Sequence, residues 1–256
     1  MKNLNKLLTI TALSSLSAMQ TAQATSTFHS QSTVTITIDS ITNTSNAGDL
    51  SGLDIYGLFE FDAANKTVAG SGDATYNHNG GEIFSFDTTI AANNNFSQSF
   101  SASGHSVNGS VASDFQSLGG LEFINNSNDN FSIAYSIDYS IEARVDGITP
   151  TDTAHNTVAL EYGNILTDIN FIEWLSDDDY SEVTATTEAL FSDLDKLNSS
   201  AFFTLELGAL EYNLFYADVS IDGYTEAVSA VPVPAAAWLL LSGLAFLGRF
   251  RSNAAA

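Results

Sequence analysis

The sequence predicts an all-β fold, an antiparallel β-sandwich or jelly roll, flanked by an N-terminal signal peptide and a C-terminal single membrane helix. Three observations carry this expectation. Between residues 25 and 230 apolar and polar side chains alternate at period two, as half-buried strands require. Gly, Asn and Asp dipeptides punctuate those runs, as turns do. Only residues 187–197 have helix-like spacing, through Leu190, Leu194 and Leu197. Many strands with at most one helix bury their apolar faces by packing two sheets together.

Composition narrows the function classes. The chain has 256 residues, 30 acidic against 7 basic, for a formal charge of -23. That balance excludes a basic groove for nucleic acid. Cysteine is absent, which removes disulfides, thiolate metal sites and cysteine nucleophiles. Charged residues make up 14%, below the roughly 25% of ordinary soluble domains. Stability therefore has to come from packing.

Residues 1–24 place Lys2 and Lys6 ahead of the apolar run 7–16 and end in Ala22-Gln23-Ala24. This is the layout of a signal peptide read by signal peptidase and the export machinery, with the mature chain beginning at Thr25.

The body, residues 25–230, holds all 30 acids and only Lys66, Arg144 and Lys196 as bases, a formal charge of -27. Its strands begin with Val34-Ile36-Ile38 and Leu53-Ile55-Gly57-Phe59-Phe61, followed by Phe84-Phe86. The clearest runs from Phe131 to Val145, with Ile133, Tyr135, Ile137, Tyr139, Ile141 and Ala143 sharing one face. Val158-Leu160-Tyr162 and Phe203-Leu205-Leu207 follow. Leu210, Tyr212, Leu214 and Tyr216 occupy one phase, and Phe215, Ala217, Val219 and Ile221 the other, which a β-bulge near Leu214 would absorb. Asn108-Gly109, Asp146-Gly147 and Asp222-Gly223 read as hairpin turns.

Residues 231–256 form a third segment. Val231-Pro232-Val233-Pro234-Ala235 opens an uncharged stretch that reaches Gly248 before Arg249 and Arg251. As a helix, those 18 residues (231–248) would measure roughly 27 Å, close to the roughly 30 Å of a hydrocarbon core. The prolines are tolerated only at its first turn. Arg249 and Arg251 fix the cytoplasmic end, and Trp238 falls near the outer interface. Motif, apolar segment, arginines and terminal position together resemble the PEP-CTERM family of sorting signals, in its VPxPA-like form. The resemblance covers about 23 residues, with Pro-Val-Pro in place of Pro-Glu-Pro. It implies an exosortase, a membrane cysteine protease of Gram-negative bacteria, as partner. It also implies an inner-membrane precursor whose body passes to the cell surface or the exopolysaccharide matrix.

Catalytic motifs are scarce. Gly104-His105-Ser106-Val107-Asn108-Gly109 has one residue too many for a hydrolase elbow. His29, His78, His105 and His155 form no metal-binding pair. Calcium is the cofactor the chemistry favours, since hard cations want clustered carboxylate and amide oxygens. The candidate ligands are the acidic loop Asp177-Asp178-Asp179 with Glu182, and Asp129 within the amide-rich stretch 125–130. Asp218-x-Ser220-x-Asp222-Gly223 imitates an EF-hand start but carries Ser229 where the bidentate glutamate belongs.

The expected function is a non-enzymatic exported surface or matrix protein. The alternative is a secreted carbohydrate-binding module or glycan hydrolase, with Tyr56, Tyr76 and Trp174 as a stacking platform. A concave groove lined by aromatic side chains or paired carboxylates would favour this alternative.

Overall fold

The computed structural model describes residues 25–80, 84–86, 94–147, 152–167, 173–187 and 192–228. The signal-peptide and sorting-segment expectations for 1–24 and 231–256 fall outside them. Thr25–Val228 forms a compact unit with its own core.

Among the described residues every element of that unit is a strand: β1 (Thr25–Asn43), β2 (Leu53–Asn79), β3 (Phe84–Phe86), β4 (Asn94–Asn125), β5 (Phe131–Gly147), β6 (Thr153–Thr167), β7 (Glu173–Thr186), β8 (Ser192–Leu207) and β9 (Tyr212–Ala227). All pairings are antiparallel, in the order β7-β6-β9-β4-β1-β5-β8, with β2 also on β4 and β3 on β2. No helix among the described residues is long and apolar enough to cross a membrane.

The all-β antiparallel expectation holds, but the two separate sheets are replaced by one sheet nearly closed into a barrel. The cause is the length of β2 and β4. Residues 94–107 of β4 pair with β1, whereas residues 109–124 pair with β9, and β2 accompanies β4 along both stretches. Between them the strands bend together. Asn108 adopts φ 51 and Gly70 φ 86, and the β2–β4 register shifts between Ala69 and Ser71. Asn108-Gly109 is thus a corner inside a strand, not a hairpin turn. The corner divides the sheet into two facing walls, β4-β1-β5-β8 and β4-β9-β6-β7. On the far side β7 and β8 meet without a backbone ladder. There the Thr184 N–H donates to the Asp195 carboxylate at 3.2 Å and the Thr186 N–H to Asp193 at 3.1 Å. Two aspartates stand in for the missing strand partner and blunt both edges.

Period-two alternation fills the interior. Phe28, Val34, Ile36 and Ile38 of β1 and the odd-numbered residues from Phe131 to Val145 of β5 all point inward. Each large apolar side chain so buried contributes about 1.5–3 kcal/mol. Phe28 lies over two glycines. A Cβ on Gly104 or Gly223 would come within 2.1 or 2.4 Å of its ring, so these positions carry glycine for close packing. Polar ties cross between the walls. Ser30 Oγ donates to Asn156 Oδ1 at 2.6 Å, and Asn156 Nδ2 donates to the His29 carbonyl at 2.7 Å. Tyr135 Oη donates to Asn164 Oδ1 at 2.6 Å.

Three further expectations are corrected. Of the helix expected over residues 187–197, residues 188–191 with Leu190 lie outside the described residues, and 192–197 belong to β8, whose Leu194 and Leu197 pair with Arg144 and Ile141 of β5. Hydrogen bonding to a central strand outweighs a weak leucine spacing there. Asp222-Gly223 lies inside β9, paired on both sides, and Asp146-Gly147 ends β5, which pairs with β1 and β8 and not with β6. Finally, β9 has no bulge. Its pairing with β6 runs without interruption from Tyr212 to Glu226, and alternate residues are buried along its whole length.

Candidate functional site

Because β9 keeps one phase, its second apolar set, Leu214 and Tyr216, lies on the outer face of the sheet. Four strands contribute outward residues beside it. One row across the strands is Tyr56 (β2), Glu122 (β4), Leu214 (β9) and Ile165 (β6). The next places Tyr216 between Gly120 and Gly163, so neither directly opposite residue carries a side chain. The third holds Asp218 opposite Glu161, with Glu60 opposite Leu118 on the other flank. Together these rows line a groove of about 700 Å³ that, among the described residues, holds two tyrosines, four carboxylates and no Lys, Arg or His.

The glycines build its floor. A Cβ on Gly120 would lie 2.2 Å from the Phe215 carbonyl oxygen, and one on Gly119 1.9 Å from Phe59. Glycine inside a strand often marks such close approaches, and here it also leaves the surface concave.

Asp218 is the electrostatic centre. Burial pushes its carboxyl up to about 6, and the charges of Glu161 and Asp62 push the same way. The Gly119 N–H, donating to Asp218 Oδ1 at 3.2 Å, opposes the shift only in part. Tyr212 Oη donates to Glu122 at 3.1 Å and holds that carboxylate at the other end.

No family model matches the chain, and no curated protein matches it. Likeness to solved structures is slight. An arabinose-bound α-L-arabinofuranosidase aligns over 41% of this chain and 19% of its own, at 8% identity and TM-score 0.12. A β-galactosidase from Bacteroides fragilis, described as putative in its title, aligns over 66% and 32%, at 8% identity and TM-score 0.10. A type III secretion injectisome secretin from Salmonella covers 95% of this chain and 76% of its own, at 10% identity and TM-score 0.12. Such scores carry no argument, and the site stands on its own geometry.

Of the sequence-derived platform residues, Tyr56 lines the groove. Tyr76 does not, since its ring stacks on Phe61 at 4.0 Å and 5°. The Trp174 side chain lies outside the described residues.

Of the candidate calcium ligands, Asp129 lies in the loop between β4 and β5, whereas the acidic stretch expected as a loop is a strand. Asp177, Asp178, Asp179 and Glu182 all fall within β7. The side chains of Asp177 and Asp178 lie outside the described residues. Asp179 accepts from Tyr162 Oη at 2.8 Å, and Glu182 accepts from Tyr180 Oη. Burial and that bond to Asp179 raise the Tyr162 hydroxyl above the usual phenol range. Asp129 accepts from Asn43 Nδ2 at 2.7 Å, closing a network in which Asn43 Nδ2 also donates to the Asp49 carbonyl. Asp218, Ser220 and Asp222 lie along β9, so the EF-hand imitation is a strand. Among the described residues no group of three His, Asp or Glu side chains is placed to hold a metal ion. Ser106 is fully buried in β4, which removes it as a nucleophile.

Glu60, Glu122 and Glu161 were not singled out by sequence reasoning, Asp218 was named only within the EF-hand imitation, and Tyr216 only as one apolar phase of β9. Two signals pointed to them: apolar residues in both phases of β9, the pattern of a strand covered on both faces, and Gly119-Gly120 inside a strand.

Proposed function

We propose that this chain is an exported surface or matrix protein whose sandwich-like body binds a glycan along the outer groove. The single observation that carries the reading is that groove: a concavity on a rigid sheet, with Tyr56 and Tyr216 for ring stacking and carboxylates to accept hydroxyl protons. Small-ligand sites are commonly of this size and combine apolar walls with a few placed polar groups. The signal peptide and the PEP-CTERM-like tail support the address. In this reading export delivers the body, Arg249 and Arg251 stay inside, and an exosortase-like protease releases it at Val231-Pro232-Val233-Pro234-Ala235.

Binding is tested by calorimetry on the full chain in detergent with β-1,4-linked hexamers of glucose, N-acetylglucosamine and glucosamine. At least one should bind, and Tyr216→Ala should weaken it at least tenfold, about 1.4 kcal/mol, without changing the melting midpoint. Absence of binding to all three overturns the reading. A second reading, glycan hydrolysis, is favoured by one observation, the directly opposed Glu161–Asp218 pair, because such enzymes use two carboxyl groups facing the scissile bond. Shortening of the hexamers, read by mass, would establish it.

Sorting is checked separately. In a strain lacking the exosortase-type protease, uncut precursor should accumulate in the membrane fraction. Identical intact mass and distribution with and without the protease would leave only a single-pass anchor.

A further inference from the structure

Resting on the glycan reading, a narrower assignment follows from the charges of the groove. Glu161 and Asp218 stand directly opposite on adjacent antiparallel strands, where Cβ atoms lie about 4.5–5.5 Å apart and like charges repel. Among the described residues nothing cationic lines the groove to compensate them. The three bases of the body are engaged elsewhere, Lys66 with Asp73, Arg144 with Asp146 and Lys196 with Glu142, all on exposed surface. Folding thus places a repulsive pair beside an aromatic ring and leaves it uncompensated. Burial is the main cause of the raised proton affinity of Asp218, and the Glu161 charge adds to it.

A ligand cation between the two carboxylates would relieve it. No third His, Asp or Glu among the described residues joins the pair to make a metal's ligand set. An ammonium needs less, because its three N–H donors can be shared between two carboxylates and the ring face of Tyr216. A sugar bearing that ammonium would at the same time lay its ring on a tyrosine. We propose that the groove takes a glycan carrying free amino groups, with an ammonium seated between Glu161 and Asp218 and the sugar rings along Tyr216 and Tyr56.

The experiment is calorimetry on the full chain with three hexamers, of glucosamine, N-acetylglucosamine and glucose, and with spermine as a cation that is not a sugar. The glucosamine hexamer is expected to bind at least tenfold more tightly than either neutral hexamer and than spermine. Glu161→Gln, which keeps shape while removing charge, is expected to narrow the preference over neutral hexamers to below threefold. Asp218→Asn should act in the same direction, so the assignment does not depend on one variant folding. Equal binding of charged and neutral hexamers overturns this assignment and leaves the glycan reading standing. Spermine binding as tightly as the glucosamine hexamer also overturns it, by reducing the site to a charge patch. Failure of all three hexamers overturns the glycan reading itself.

Discussion

Replacing Tyr135 by alanine is expected to lower the unfolding free energy by about 3–5 kcal/mol, the range for removing a large buried aromatic side chain. Tyr135 is fully buried on β5. Its ring stacks on Phe203 at 5.3 Å, meets Phe215 edge-on at 5.0 Å and lies 5.4 Å from Phe123. These partners come from β8, β9 and β4, so the ring packs against both walls. Its hydroxyl donates to Asn164 of β6. Tyr135→Phe separates the two roles: packing is retained, Asn164 Oδ1 loses this donor in a buried place, and the expected cost falls to about 1–3 kcal/mol. Urea unfolding of wild type and both variants measures the difference. A loss below about 1 kcal/mol for Tyr135→Ala would mean that the aromatic cluster is not where the walls are joined.

The second large effect is a gain. Asp218→Asn is expected to stabilise the body at pH 7.5 and to leave it unchanged near pH 3.5. The folded-state pKa of Asp218 is raised to about 6 from 3.8, so the native state holds its proton more tightly than the unfolded chain. The favourable contribution is complete below the unfolded value and lost as pH rises through about 6, after which wild type carries a buried, crowded charge. Two pKa units correspond to about 3 kcal/mol. Solvent at the groove mouth screens part of this, leaving about 1–2 kcal/mol, or roughly 3–6 °C in melting midpoint. The asparagine oxygen can still accept from the Gly119 N–H, which isolates the charge. Melting curves across pH 3.5–8 read the effect, and a difference that does not vary with pH would sink it.

Much of the fold was legible because β1 and β5 each bury one face, so their alternation survives in the sequence. Elements whose state depends on distant partners were not legible. The exposed first half of β8 has no apolar face to reveal it, and its strand state comes from pairing with β5, about 50 residues earlier. Asp222-Gly223 has the composition of a turn, yet Gly223 is small because Phe28, far away in sequence, lies on it. The site was hidden for the same reason. Glu60, Glu122, Glu161 and Asp218 come from four strands, and among 30 acids only the register selects them. The double phase of Leu214 and Tyr216 was visible, but a bulge and a two-faced strand give the same sequence pattern.

The last strand to be made, β9, is not at an edge of the sheet but between β4 and β6. A chain synthesised from its N-terminus therefore cannot finish this sheet early. Until residue 227 is out, one side of β4 and one side of β6 stand unpaired, two open templates for another chain. Pairings this distant in sequence also form slowly. An unfinished intermediate thus persists until β9 pairs, and a holdase or a delay in release of the C-terminal end would protect it from aggregation. Anything that holds back the C-terminal end would supply that delay, giving β9 time to enter its slot before the open edges meet another chain.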